Sequence, residues 1–150
     1  MEEALLFINT HLISESRDIP EGYLLARGEK VASLGQGHPR AVQRAEVIDL
    51  EGDYLSPGFI DLHVNGAGGH DLLEGEVEAV EAVARFLAGH GTTSFLPTLV
   101  SSPPELTLRA CRAVGEAARR SERGGPSAEI LGLHLEGPFI NPKMRGAHSE

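Results

Sequence analysis

The sequence predicts an α/β fold, on three observations. Residues 1–55 read as short apolar strands broken by glycine turns, residues 56–150 alternate strand, helix, strand, helix, strand, and two of these later strands carry polar chemistry at their C-terminal ends. Strands joined by intervening helices pair in parallel, because each helix returns the chain to the edge from which it started. A closed eight-stranded barrel needs about 200 residues or more. The second part therefore has room for only the first three strands of one, and an open parallel sheet is the alternative.

In the first part the apolar runs fall at residues 5–8, 23–26, 31–34 and 47–50, with Gly22, Gly28, Gly35, Gly37 and Gly52 between or beside them. Such spacing predicts a small β layer. After Ser56-Pro57-Gly58 the rhythm changes. A first strand covers residues 59–65, and a helix follows over 76–88, where Val80, Val83, Ala84 and Leu87 recur at helical spacing and Gly91 is the stop. Glu74, Glu76 and Glu78 suit the positive end of its dipole. The second strand starts at Thr93 and runs towards Thr98. Ser102-Pro103-Pro104-Glu105 then offers a Ser cap, a Pro at the first helical position and a Glu in the capping-box position, for a helix ending near Arg120. The third strand spans residues 130–136.

Composition excludes several functions. Lys and Arg number 13 against 22 Asp and Glu, a formal charge of −9, which disfavours nucleic acid and anionic membrane as partners. No apolar run approaches the roughly 20 residues of a membrane span, and Met1-Glu2-Glu3 lacks a basic secretion flank, so a cytoplasmic location is expected. Cys111 stands alone within a helical apolar pattern and reads as a structural thiol.

The chemistry lies on the polar faces of two strands. In Asp61-Leu62-His63-Val64-Asn65 the polar residues share one parity, and in Leu131-Gly132-Leu133-His134-Leu135-Glu136 the pair His134 and Glu136 does the same. A strand sends alternate side chains to opposite faces, and parallel α/β folds place function at the C-terminal ends of strands. The imidazole of His63 is a candidate ligand for a divalent cation, whereas the neutral amide of Asn65 is a poor one. Glu136 is the stronger candidate. It ends an apolar strand ahead of Gly137-Pro138, where an unpaired carboxylate is costly to bury; a divalent cation would compensate it, and a salt bridge to Lys or Arg is the alternative. His134 reads as a hydrogen-bonded interior histidine. The loop Lys143-Met144-Arg145-Gly146-Ala147-His148 brings two cations and a His beside this strand end.

With these residues in view, Ser56-Pro57-Gly58-Phe59-Ile60-Asp61-Leu62-His63 resembles the opening barrel strand of the amidohydrolase superfamily. Asn65-Gly66-Ala67-Gly68-Gly69, Gly91-Thr92-Thr93-Ser94-Phe95-Leu96-Pro97-Thr98, and His134-Leu135-Glu136-Gly137-Pro138-Phe139 with Gly146-Ala147-His148 narrow the resemblance to its N-acetylglucosamine-6-phosphate deacetylase family. The resemblance implies a small N-terminal β-sandwich-like domain, to which residues 1–55 contribute, and the first three strands of a metal-dependent hydrolase (β/α)8 TIM barrel in residues 56–150. It implies hydrolysis of N-acetylglucosamine 6-phosphate to glucosamine 6-phosphate and acetate, a divalent metal cofactor, zinc or iron, and a homodimer acting on an amino-sugar phosphate. Glu136 is then the metal ligand, with His63 as a further candidate, and Ala147 and His148 contact the substrate. Superfamily members often carry His-x-His on the first strand; His63-x-Asn65 departs from that pattern and favours a single metal. Two further His ligands and the general acid/base Asp are expected beyond Glu150, so the 150-residue chain alone is expected to be inactive. The alternatives are another amidohydrolase, such as a cyclic amidase, and a non-catalytic truncated binding or assembly module.

Overall fold

The computed structural model describes residues 4–39, 42, 44–121, 125–146 and 148. Its contacts divide into two units, residues 1–57 and 58–150, and each is a mixed arrangement of its own.

The first unit is a five-stranded sheet. β1 (Ala4–Ile13) pairs antiparallel with β2 (Asp18–Arg27), which pairs antiparallel with β3 (Lys30–Gln36). On its other side β1 takes β4 (Glu46–Asp49) and then β5 (Tyr54–Leu55), both parallel. β1 is longer than its apolar run predicts. Asn9 sits at φ 52° and the register to β2 shifts between Phe7 and Thr10, so one bulge lets the strand run on through Asn9-Thr10-His11. The edge strand breaks at the same level: Asn9 Nδ2 donates to Asp49 Oδ1 at 3.1 Å, the Gly52 N–H donates to the Asn9 carbonyl at 2.7 Å, and the buried Thr10 hydroxyl donates to the Asp53 carbonyl at 2.7 Å. Ala4, Leu6 and Leu25 form the buried cluster on this sheet. The described residues of this unit show a single sheet.

The second unit carries the candidate site. β6 (Phe59–Val64) leads through a small hairpin, β7 (Gly66–Ala67) and β8 (His70–Asp71), to a 3-10 turn (Leu72–Glu74) and then to α1 (Val77–Ala88). β9 (Thr92–Val100), α2 (Pro104–Ser121), β10 (Glu129–Ile130) and β11 (His134–Glu136) follow, with a last 3-10 turn at Pro142–Met144. β6, β10 and β11 all pair parallel to β9, which makes β9 the central strand. α1 and α2 lie over it. Phe95 and Leu99 from β9, Val80, Val83 and Ala84 from α1, and Ala110, Ala113, Val114 and Ala117 from α2 form one buried cluster. The alanines let α2 approach closely.

Two local predictions need revision, and one cap lies where none was predicted. The capping box that organises the approach to α1 belongs to the preceding turn: Leu73 N–H donates to Asp71 Oδ1 and Asp71 N–H to Glu74 Oε1, both at 2.8 Å. α2 begins at Pro104 rather than Pro103, and the Ser102 hydroxyl donates back to the Val100 carbonyl at 3.1 Å. The third strand is interrupted as well. Ile130 pairs with Phe95 but His134 pairs with Thr98, so four steps on one strand match three on β9. That extra residue breaks the simple alternation of the strand. β6 is likewise irregular between Asp61 and Val64, and of its apolar residues Val64 is buried while Ile60 and Leu62 are 63% and 60% exposed.

Phe95 is fully buried at the middle of the helix-covered cluster. Phe95→Ala should lower stability by about 3–5 kcal/mol through lost transfer energy and the cavity left behind, measured by chemical denaturation. A loss under about 1 kcal/mol would show that the cluster is not the core of this unit.

Candidate functional site

The C-terminal ends of the parallel strands, with the loop after β11, bring together His63, Asn65, Glu136 and His148. These residues share the wall of a cavity of about 580 Å³ with Arg145, Met144 and Ile140. Glu136, ending β11, is the hub. Its Oε2 lies 3.1 Å from His63 Nε2 and its Oε1 lies 3.2 Å from His148 Nε2. The hydrogen bond from His148 holds the Glu136 carboxyl below the usual carboxylate range, partial burial opposes this, and the nearby His63 adds to the lowering.

The protons around this carboxylate follow from the neighbouring donors. The Ser101 backbone N–H points at His148 Nδ1 at 3.3 Å. A backbone amide can only donate, so Nδ1 accepts, and the ring of His148 carries its hydrogen on Nε2, facing Glu136. His148 is only 9% exposed in its side chain, and its carbonyl accepts from Arg145 Nη1 at 2.6 Å. Thus Arg145, half of the predicted basic loop, pins the backbone that carries the histidine.

His63 is placed by β6, where its backbone N–H donates to Asp61 Oδ1 at 3.1 Å. Asn65 does not turn to the carboxylate. Its Nδ2 donates to the Thr98 carbonyl at 3.2 Å and ties β6 to β9. His134 Nδ1 lies 3.2 Å from the Thr98 hydroxyl, and its ring meets that of His63 edge-on, with centroids 5.1 Å apart and planes at 81°. Ala147 lies outside the described residues. Ser101 is a site residue that the sequence patterns miss, and Thr98, the last residue of the 91–98 segment, is one whose part in the site they do not show. Neither belongs to a metal or catalytic motif, but both sit at the end of the strand that lies between the two polar ones, where topology alone directs attention.

As a donor set, an ionised carboxylate flanked by imidazoles suits a borderline divalent cation. The set is partial. Among the described residues no group of three or more His, Cys, Asp and Glu is arranged to hold a metal ion. Among the described residues of the cavity wall Glu136 is the one carboxylate, and His148 turns an N–H rather than a lone pair towards it.

Residues 54–150 match the family model described as "Amidohydrolase family". The chain belongs to the amidohydrolase family. Among its relatives, human N-acetylglucosamine-6-phosphate deacetylase is 45% identical over 106 residues, which cover 68% of this chain and 25% of that protein. N-acetylgalactosamine-6-phosphate deacetylase from Escherichia coli O157:H7 is 38% identical over 102 residues, covering 68% of this chain and 26% of that one. The crystal structure of N-acetylglucosamine-6-phosphate deacetylase from Pasteurella multocida superposes with a TM-score of 0.85 at 30% identity, over 98% of this chain and 38% of its own. The matched part of this amidohydrolase chain spans about a quarter of the length of these two curated relatives. The resemblance recognised in HLEGPF and GAH therefore stands, and the mixed α/β architecture is shared with the deacetylase structure.

Two outcomes test the geometry. His148→Ala should raise the Glu136 carboxyl back towards the ordinary range, because its charged form loses its strongest partner; carbon-detected NMR titration of Glu136 reads this. The sign for stability follows: a carboxyl held low in the folded state stabilises above its unfolded pKa, and that contribution fades as pH falls through the folded value. The stability difference between wild type and His148→Ala should accordingly shrink on acidification. Gly137 has φ 102°, and a Cβ there would meet Ser101 Oγ at 2.1 Å. Gly137→Ala should cost about 1–3 kcal/mol from backbone strain, measured by denaturation, whereas an unchanged midpoint would mean that the turn after Glu136 is not constrained.

Proposed function

We propose that the whole protein is a metal-dependent deacetylase of an amino-sugar 6-phosphate, with N-acetylglucosamine 6-phosphate as substrate. The observation that carries this is the Glu136 carboxylate held between His63 and His148 on a cavity wall, within a chain whose relatives at 38–45% identity are named as sugar-phosphate deacetylases. In this proposal residues 56–150 open a (β/α)8 barrel, and residues 1–55 belong to a β-sandwich-like domain. Exposed Ile60 and Leu62 on β6, apolar side chains that further barrel elements would cover, support the barrel. A cytoplasmic homodimer is part of the same proposal.

The residues present fit a divalent cation, zinc or iron, in part: Glu136 is its anionic ligand, His63 is a further candidate, and the remaining ligands and the general acid/base Asp lie beyond this chain. When bound, the cation supplies Lewis acidity to the amide carbonyl and to the attacking water. The chain's own residues do the rest. With Glu136 serving as the cation's ligand, the Nε2–H of His148, which otherwise faces that carboxylate, would be given to the amide carbonyl oxygen, the ring being held by the Ser101 N–H and its carbonyl by Arg145, and would stabilise the charge that develops there. Asn65, tied to β9, holds the end of β6 in register beside it. Ala147, next to His148, is the second substrate contact. Water adds to the acetyl carbon, the C–N bond breaks, and the products are acetate and the amine.

Acetate release decides the matter. The full-length protein should release it from N-acetylglucosamine 6-phosphate, with N-acetylgalactosamine 6-phosphate and a cyclic amide as comparison substrates. Chelation should abolish turnover and added zinc or iron should restore it. His148→Ala should lower kcat by roughly 10²–10³-fold, and Glu136→Gln should lose bound metal, read by elemental analysis, together with activity. The 150-residue chain alone should release none. Full activity in Glu136→Gln would remove the basis of this proposal.

A further inference from the structure

We propose that Thr98 is a positioning residue of this site, whose buried hydroxyl fixes neutral His134 as the Nδ1–H tautomer. Thr98 is 1% exposed, stands on the central strand β9, and pairs in register with His134 on β11. Its Oγ1 lies 3.1 Å from the Leu96 carbonyl oxygen and 3.2 Å from His134 Nδ1. One hydroxyl carries one proton, and a carbonyl oxygen can only accept. If that proton went to Nδ1, two oxygens would face each other at hydrogen-bond distance with nothing between them, in a buried place where an unmade bond is costly. The hydroxyl therefore donates to Leu96, and His134 Nδ1–H donates to the hydroxyl.

The consequence reaches the carboxylate through packing. With Nδ1 protonated, Nε2 of His134 is an acceptor, and it has no hydrogen-bond partner among the described residues. The ring stands edge-on to His63, which in turn contacts Glu136. Removing the constraint lets the ring take the other tautomer and exchange acceptor for donor beside His63. The same residue also accepts the Asn65 amide at its carbonyl. Thr98 thus registers the polar ends of both flanking strands on the one between them, through its hydroxyl on one side and its backbone on the other.

The catalytic part of this inference rests on the deacetylase proposal above, while the tautomer does not. The test uses full-length protein with 15N-labelled histidine in alkaline buffer, where imidazoles are neutral, and compares wild type with Thr98→Val and Thr98→Ser. Long-range proton–nitrogen NMR should show His134 protonated at Nδ1 in the wild type and in Thr98→Ser, and wholly or partly at Nε2 in Thr98→Val. Turnover of N-acetylglucosamine 6-phosphate should fall in kcat by roughly 10–100-fold in Thr98→Val, as for other groups that orient a site from behind, with KM little changed and with recovery in Thr98→Ser. A wild-type His134 protonated at Nε2, or an unchanged Nδ1–H form in Thr98→Val, would overturn the assignment; a switched tautomer with undiminished kcat would overturn the positioning role. Failure of the wild type to release acetate would instead overturn the deacetylase proposal, since the spectra judge Thr98 without turnover.

Discussion

A carboxylate at the end of a short strand between apolar neighbours is the constraint around which the second unit is organised. Glu136 follows Leu133 and Leu135, and partial burial raises the cost of its charge. The chain meets that cost with N–H donors from two places, His63 on β6 and His148 on the loop after β11. Each needs its own support. Asp61 holds the backbone of His63, while Ser101 and Arg145 hold the ring and the carbonyl of His148. Parallel pairing through β9 is what makes the convergence possible, because it brings the C-terminal ends of all the strands to one edge.

The same constraint explains the loop. Gly137, at φ 102°, turns the chain immediately after the carboxylate, and the space its missing side chain leaves is taken by Ser101. A residue with a Cβ would push against the hydroxyl of the very residue whose backbone N–H orients His148. Small size at position 137 and correct hydrogen placement at position 148 are therefore one requirement, expressed in two segments separated by a 3-10 turn. Met144 and Gly146 line the cavity beyond them, so the loop forms a wall beside the carboxylate, whose side chain keeps 36% exposure.

Much of this was legible in the sequence for a physical reason: periodicity records burial. Val80, Val83 and Ala84 announced α1, and the parity of His63 with Asn65 and of His134 with Glu136 announced polar strand ends. Parity fails where register shifts, and both strands of interest contain one. The extra residue between Ile130 and His134 cannot be seen in a pattern of Leu and Gly that alternates cleanly, because a bulge is a property of the pair of strands. Asn9 is the same case in the first sheet: three polar residues looked like a strand end, and one of them, at positive φ, instead carried the strand onward. The parts played by Ser101 and Thr98 were invisible for another reason. One acts through its backbone N–H, which every non-proline residue possesses, and the other through a hydroxyl whose role depends on what faces it across the ladder.

That distinction bears on how the site divides its labour. His63 and His148 touch the carboxylate directly, and motif spacing can find such residues because their chemistry restricts the side chain. The groups behind them work by deciding where hydrogens sit. A donor amide at Nδ1 makes His148 a donor at Nε2, and a hydroxyl committed to Leu96 makes His134 a donor at Nδ1 and an acceptor at Nε2. The two imidazoles thus present opposite faces: one gives a hydrogen to Glu136, and the other offers a lone pair beside His63. Two rings of identical composition acquire different electrostatics from their second hydrogen bonds alone, one anchored on Thr98 of β9 and the other on Ser101 immediately after it. The central strand contributes no ionisable side chain to the cavity, yet it and the residue that follows it set the hydrogens of His148 on the cavity wall and of His134 beside His63.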